Sequence, residues 1–133
     1  MKAGALFFVI AILLASIPNY SHGQSACDQT LPTILAKNGF SITLPTDQQV
    51  TISARMFDSG SFDNVTPNDS LRFSFSKDPA DSLRTYVCSH LGQINTKVWV
   101  TDLAGNQHGI NTFFILEDNV ETCFIPNSDC FPI

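Results

Sequence analysis

Val98-Trp-Val-Thr101 and Asn111-Thr-Phe-Phe-Ile-Leu116 flank the pentapeptide Asp102-Leu-Ala-Gly-Asn106. Two β-rich runs on either side of the turn formers Asp, Gly and Asn predict a β-hairpin. The rest of the chain has the same character. Strands are predicted at Ile34-Leu35, Phe40–Leu44, Val50–Phe57, Leu71–Ser76, Leu83–Cys88, Ile94–Thr101 and Ile110–Glu117, with Asn-, Gly-, Pro- and Asp-rich turns between them. Alternation assigns their faces. Val50, Ile52, Ala54 and Met56 share one face; Leu71, Phe73 and Phe75 point inward, and Arg72 and Ser74 outward. Val98 and Val100 oppose Lys97, Trp99 and Thr101, while Ile110, Thr112, Phe114 and Leu116 oppose Phe113 and Ile115. With the valines in the core, Trp99 and Phe113 fall on the outer face, either as a cross-strand aromatic pair or as a patch for a partner. Past the first residues no long run has helical periodicity. Short strands at turn-punctuated spacing describe an all-β chain, an antiparallel β-sandwich.

The start of the chain has a different character. Lys2 precedes the apolar run Ala3–Ala15, and Pro18-Asn-Tyr-Ser-His-Gly23 follows, the pattern of a secretory signal peptide. The run is shorter than the roughly 20 residues a spanning helix needs. With small residues at Ser21 and Gly23, cleavage is expected after Gly23, so that residues 1–23 are the leader and 24–133 form a single domain beginning at Gln24. The alternative processing is lipidation of Cys27, since Ser25-Ala26-Cys27 has the small residues that precede a lipid-modified cysteine. Gln24 stands where such a signal wants an aliphatic residue. Seven basic and twelve acidic residues give a formal charge of −5, and removing residues 1–23 takes away Lys2 alone, leaving −6. Such a domain has no basic stripe with which to contact nucleic acid or an anionic membrane.

Cys27, Cys88, Cys123 and Cys130 all lie beyond the leader. An even count in a small exported domain predicts two disulfides. Three connectivities exist; the turn-prone hexapeptide between Cys123 and Cys130 favours that pair, with Cys27 then bonded to Cys88. Zinc-type CxxC or HxxxH spacing is missing.

Side-chain oxygens concentrate in the loops, at Asp58, Asp63, Asn64, Asp102, Asn106, Asp118 and Asn119. Calcium takes six to eight oxygens, and a sandwich can gather distant loops at one end. Turn capping through local backbone hydrogen bonds explains the same residues with fewer assumptions and is the preferred reading, so no cofactor is expected. His90 and His108 are the histidines beyond the leader, and neither sits in a hydrolase motif, so no enzyme is expected.

Lys37-Asn-Gly-Phe-Ser-Ile-Thr-Leu44, Gly60-Ser-Phe-Asp-Asn64, Val87-Cys88 before Leu91-Gly92, Trp99-Val-Thr-Asp-Leu-Ala-Gly-Asn106, and Glu117-Asp-Asn119 before Cys123 stand in a telling order. In that order and spacing, over most of the chain past the leader, the sequence resembles the immunoglobulin-like, hyalin-repeat-type module of secreted Bacteroidetes surface proteins. The resemblance implies an immunoglobulin-like antiparallel β-sandwich. It also implies a secreted or cell-surface adhesion, interaction or spacer module with a protein or glycan partner. Family arrays close with a C-terminal sorting domain; here a single copy is read, without that domain. Members usually carry cysteines where Ala36, Val65 and Ile110 stand here. Losing the thiols at Val65 and Ile110 together implies that an apolar contact replaces a disulfide.

The intact mass and N-terminal peptide of the exported protein are expected to begin at Gln24. A diacylated Cys27 would establish the lipoprotein instead, and retention of residues 1–23 would exclude both.

Overall fold

A computed structural model describes residues 27–123. The expected leader and Cys130 therefore lie outside the described residues. The chain is all-β, with short 3₁₀ turns but no α-helix among the described residues. No helix there is long and apolar enough to cross a membrane. The strands are β1 (Phe40–Thr43), β2 (Gln49–Ser53), β3 (Arg72–Ser74), β4 (Leu83–Val87), β5 (Gly92–Thr101) and β6 (Gln107–Glu117). They form a four-stranded sheet in the order β1-β6-β5-β3 and a two-stranded sheet of β2 and β4.

The hairpin read from the sequence is the longest ladder. β5 and β6 pair antiparallel from Thr101↔Gln107 to Gly92↔Leu116. Asp102–Asn106 closes it, with Asn106 C=O accepting from Asp102 N–H at 3.1 Å, and Gly105 supplies the positive φ of +94°. On the other side of β6, β1 runs parallel, Phe40 beside Phe114 and Thr43 beside Glu117.

Alternation places the core. Val98, Val100, Phe114 and Leu116 turn inward and are essentially inaccessible to solvent, together with Leu44, Ile52 and Phe57. The Phe114 ring packs on Tyr86 of the small sheet at 5.2 Å, on Phe57 at 5.8 Å and on Phe40 at 6.2 Å. One side chain thus joins both sheets. Burying a side chain of this size contributes about 1.5–3 kcal/mol, and each well-oriented aromatic pair adds about 0.5–1.5 kcal/mol.

Four local expectations are corrected. The strand from Val50 ends at Ser53, whose hydroxyl caps Arg55 N–H and starts the 3₁₀ turn Ala54–Phe57. The change of period from two to three leaves Met56 42% exposed and buries Phe57 instead. Ser74 does not face solvent: it is buried, and its hydroxyl is satisfied by donating to Ser76 C=O at 2.7 Å. Ile34-Leu35 is no strand; only isolated bridges, Thr33↔Phe62 and Ala36↔Asp58, flank it. Val65 and Ile110 are 48% and 38% exposed and neither joins the core, so the burial expected of an apolar contact in place of a disulfide is not conserved.

The preferred disulfide pairing is also corrected. Cys88 bonds Cys123, with Cα atoms 5.4 Å apart, while Cys27 is exposed and has no bond among the described residues. Topology explains the choice. Asp118 accepts from Cys123 N–H, which holds Cys123 at the far end of β6, close to where β4 delivers Cys88. The backbone carbonyl of Asp28 is bonded to Asn106 at the opposite end of the same strand, so Cys27 lies about a strand length away.

The bridge closes a loop with a sequence separation of 35, worth about 4 kcal/mol by chain entropy. Cys88→Ala is expected to lower the stability measured in urea by about 2–5 kcal/mol. An unchanged midpoint would show that the bridge contributes nothing.

Candidate functional site

The hairpin turn is a meeting point for three segments distant in sequence. Asp102 is fully buried there. Its Oδ1 accepts from Asn106 N–H at 2.8 Å and its Oδ2 from Asn106 Nδ2 at 2.7 Å. The same Nδ2 donates to Asp28 C=O at 2.9 Å, which brings in the N-terminal segment. Leu103 N–H donates to Thr66 Oγ1 at 3.0 Å, which brings in the Asp63 loop. One carboxylate oxygen from each of Asp28, Asp63 and Asp102 then lies within 4.8 Å of the others.

The bonding of this trio is incomplete. Asp28 Oδ1 accepts from Thr30 N–H at 3.0 Å, and Asp63 Oδ2 from Val65 and Thr66 N–H at 3.1 and 2.8 Å. The remaining oxygens, Asp28 Oδ2 and Asp63 Oδ1, are shut off from water and accept nothing. Desolvation raises the Asp63 carboxyl, but the N–H groups of Thr66, Val65 and Asn64 outweigh it and hold the group below the ordinary carboxylate range. No basic side chain compensates: the one ion pair among the described residues is Arg84–Asp81, at 3.2 Å.

The structure therefore brings together Asp63, Asp102 and Asn106 from the sequence-derived set and adds Asp28. It leaves the others elsewhere. Asp58 caps its own turn, accepting from Gly60 and Ser61 N–H at 3.0 and 2.8 Å. Asp118 caps the turn at the other end of β6, accepting from Thr122 and Cys123 N–H at 2.8 Å each. Asn64 is exposed, and Asn119 donates to Thr43 Oγ1 at 3.0 Å. Turn capping thus accounts fully for Asp58 and Asp118 and only half of Asp63. Asp28 carries no local signal in the sequence; tertiary contact with Asn106 alone brings it in.

Trp99 and Phe113 do not form a cross-strand pair, because the register sets Trp99 opposite Gly109 and Phe113 opposite Asn95. Four ladder positions, about 13 Å, separate them. The indole lies so close over Gly109 that a Cβ there would come within 2.7 Å of it, and the ammonium groups of Lys97 and Lys77 stand 4.5 and 5.4 Å from the ring centre. Phe113 is turned against Gly39, whose φ is +76°.

A second concave feature is an open cleft of about 680 Å³ whose lining includes Asn38, Phe75, Arg84, Thr96 and Thr112. Thr112 Oγ1 donates to Lys37 C=O at 2.6 Å, and Arg84 lies over the Phe75 ring at 4.9 Å. Thr96 Oγ1 is buried without a partner. The histidines are held locally: His90 Nδ1 accepts from Val87 N–H at 3.1 Å, and His108 Nδ1 lies 3.0 Å from Pro32 C=O.

No family model matches the chain, and the search of curated proteins found none similar to it.

Burial raises the Asp58 carboxyl, but Ser61 through its N–H and hydroxyl, Gly60 N–H and Arg55 together bring it below the ordinary value. Asp118 is lowered by Cys123 N–H, with burial opposing and Thr122 adding to the effect. Groups lowered on folding stabilise the native state above the unfolded carboxyl pKa of about 3.9 and lose that contribution as pH falls through their folded values. The urea midpoint is therefore expected to fall from about pH 4 downward, and less steeply in Asp58→Asn or Asp118→Asn. A midpoint flat between pH 5 and pH 2.5 would contradict the assignment.

Proposed function

We propose that the chain is a secreted, non-enzymatic interaction module of immunoglobulin-like β-sandwich type, acting at the bacterial cell surface or in the extracellular matrix. The observation that carries this reading is where the reactive side chains are spent. Asp58, Asp118 and His90 hold the backbone of their own turns, and Asp102 holds Asn106. These bonds make rigid loops rather than an acid–base pair facing a substrate. Two sheets sharing one core support the sandwich, although β1 runs parallel to β6 and not antiparallel as expected. The resemblance to secreted Bacteroidetes repeats supports the same use.

The cleft between Arg84, Asn38, Thr96 and Thr112 is the contact surface in this reading. Asn38 and Arg84 are exposed there and offer an amide and a guanidinium in an open setting, while the Thr96 and Thr112 hydroxyls lie buried behind them. That chemistry suits the hydroxyl groups of a glycan. A second reading, a lipoprotein anchored through Cys27, draws support from the exposure of that thiol and its lack of a bond among the described residues.

Titration of the ¹⁵N-labelled exported protein with a panel of cell-surface oligosaccharides is expected to shift the amides of Asn38, Arg84, Thr96 and Thr112, and Arg84→Ala to weaken the response about tenfold. Shifts confined to other residues would move the site. Chemical conversion of a sugar would overturn the non-enzymatic reading.

A further inference from the structure

We infer that Asp28, Asp63 and Asp102 form a calcium site that clasps the N-terminal segment and the Asp63 loop to the tip of the β5–β6 hairpin. This goes beyond the proposed glycan contact and does not depend on it.

The first ground is geometry. Two oxygens bound to one calcium ion at about 2.4 Å are at most about 4.8 Å apart, when they lie on opposite sides of it. The three carboxylate oxygens meet that limit. All are hard ligands, and calcium accepts the irregular, partly hydrated shell that three protein oxygens leave, whereas magnesium demands a near-ideal octahedron.

The second ground is independent of the clustering. Asp28 Oδ2 and Asp63 Oδ1 have essentially no surface in contact with water and no hydrogen-bond donor. A carboxylate oxygen removed from water wants a donor or a cation, and leaving it with neither is strongly unfavourable. Both oxygens belong to members of the trio, and the third member, Asp102, is itself wholly buried. Asn106 does not relieve them, because its Nδ2 is already shared between Asp102 Oδ2 and Asp28 C=O. Arg and Lys do not either, since no basic nitrogen of the described residues comes within ion-pair distance of these carboxylates. One divalent cation would satisfy the orphaned oxygens and relieve the repulsion among three charges at once.

The test uses the full exported chain stripped with EDTA. Thermal unfolding is followed with added CaCl₂ or MgCl₂, and calcium binding by calorimetry. At ten times the dissociation constant, calcium is expected to raise the melting temperature by about 6–11 °C. Calorimetry should give one ion per chain, and magnesium at equal concentration should do much less. Asp28→Asn keeps the cap on Thr30 and removes one charge; it is expected to melt no lower than the metal-free wild type and to lose the calcium response. Asp118→Asn, at the opposite end of β6, should keep that response in full. No calcium-dependent shift and no binding heat in the wild type, an equal response to magnesium, or a response that survives in Asp28→Asn would each overturn the site. Should Asp28→Asn fail to fold, Asp63→Asn, which likewise keeps its turn cap, serves in its place and the wild-type calorimetry decides.

Discussion

Phe114 touches Phe40, Phe57 and Tyr86, and through those rings it joins β1, the 3₁₀ turn after β2, and the small sheet to the central hairpin. Its position depends on β6, the strand paired on both sides over its C-terminal half. Shifting the β5–β6 register by one residue would send Phe114 and Leu116 to solvent and Phe113 inward. The Asp102–Asn106 turn and the twin valines of β5 guard against that slip. The arrangement of every other element follows from this inward face.

The two ends of β6 are fastened by different means. At the Glu117 end a covalent bridge ties Cys123 to Cys88, and Asp118 bonds the backbone just before it. At the Gln107 end polar contacts bind the hairpin tip to the Asp63 loop and the N-terminal segment. The first fastening works mainly by restricting the unfolded chain. The second gathers three part-buried or buried carboxylates, with one oxygen each of Asp28 and Asp63 shut off from water, so its strength depends on what neutralises them. A disulfide is indifferent to solution ions, whereas a carboxylate cluster is not. The local conformation of the tip is thus open to chemical control in a way the other end is not.

Much of the fold was legible because strand alternation and turn chemistry are local. The hairpin, the inward set Leu71, Phe73 and Phe75, and the outward Arg72 all follow from side-chain period and turn formers. Two failures occur where a hydroxyl offered the backbone another partner. Ser53 stops β2 by capping a 3₁₀ turn, and Ser74 goes under by bonding Ser76. Nothing in binary patterning separates such a serine from a solvated one.

The sequence by itself determined the all-β character, the central hairpin and most of its buried face, because each depends on neighbours a few residues apart. Only the tertiary structure decided which cysteines meet, which aspartates converge and what Trp99 packs against. Those outcomes depend on strand order and on which end of β6 each segment reaches. Cys27 and Cys88 were plausible partners by count and spacing, yet Asn106 holds the residue after Cys27 at one end while Asp118 gathers the bridge at the other. Asp28 is one carboxylate among many in the sequence. It becomes part of a site because a backbone carbonyl bond to Asn106 places it beside Asp63 and Asp102.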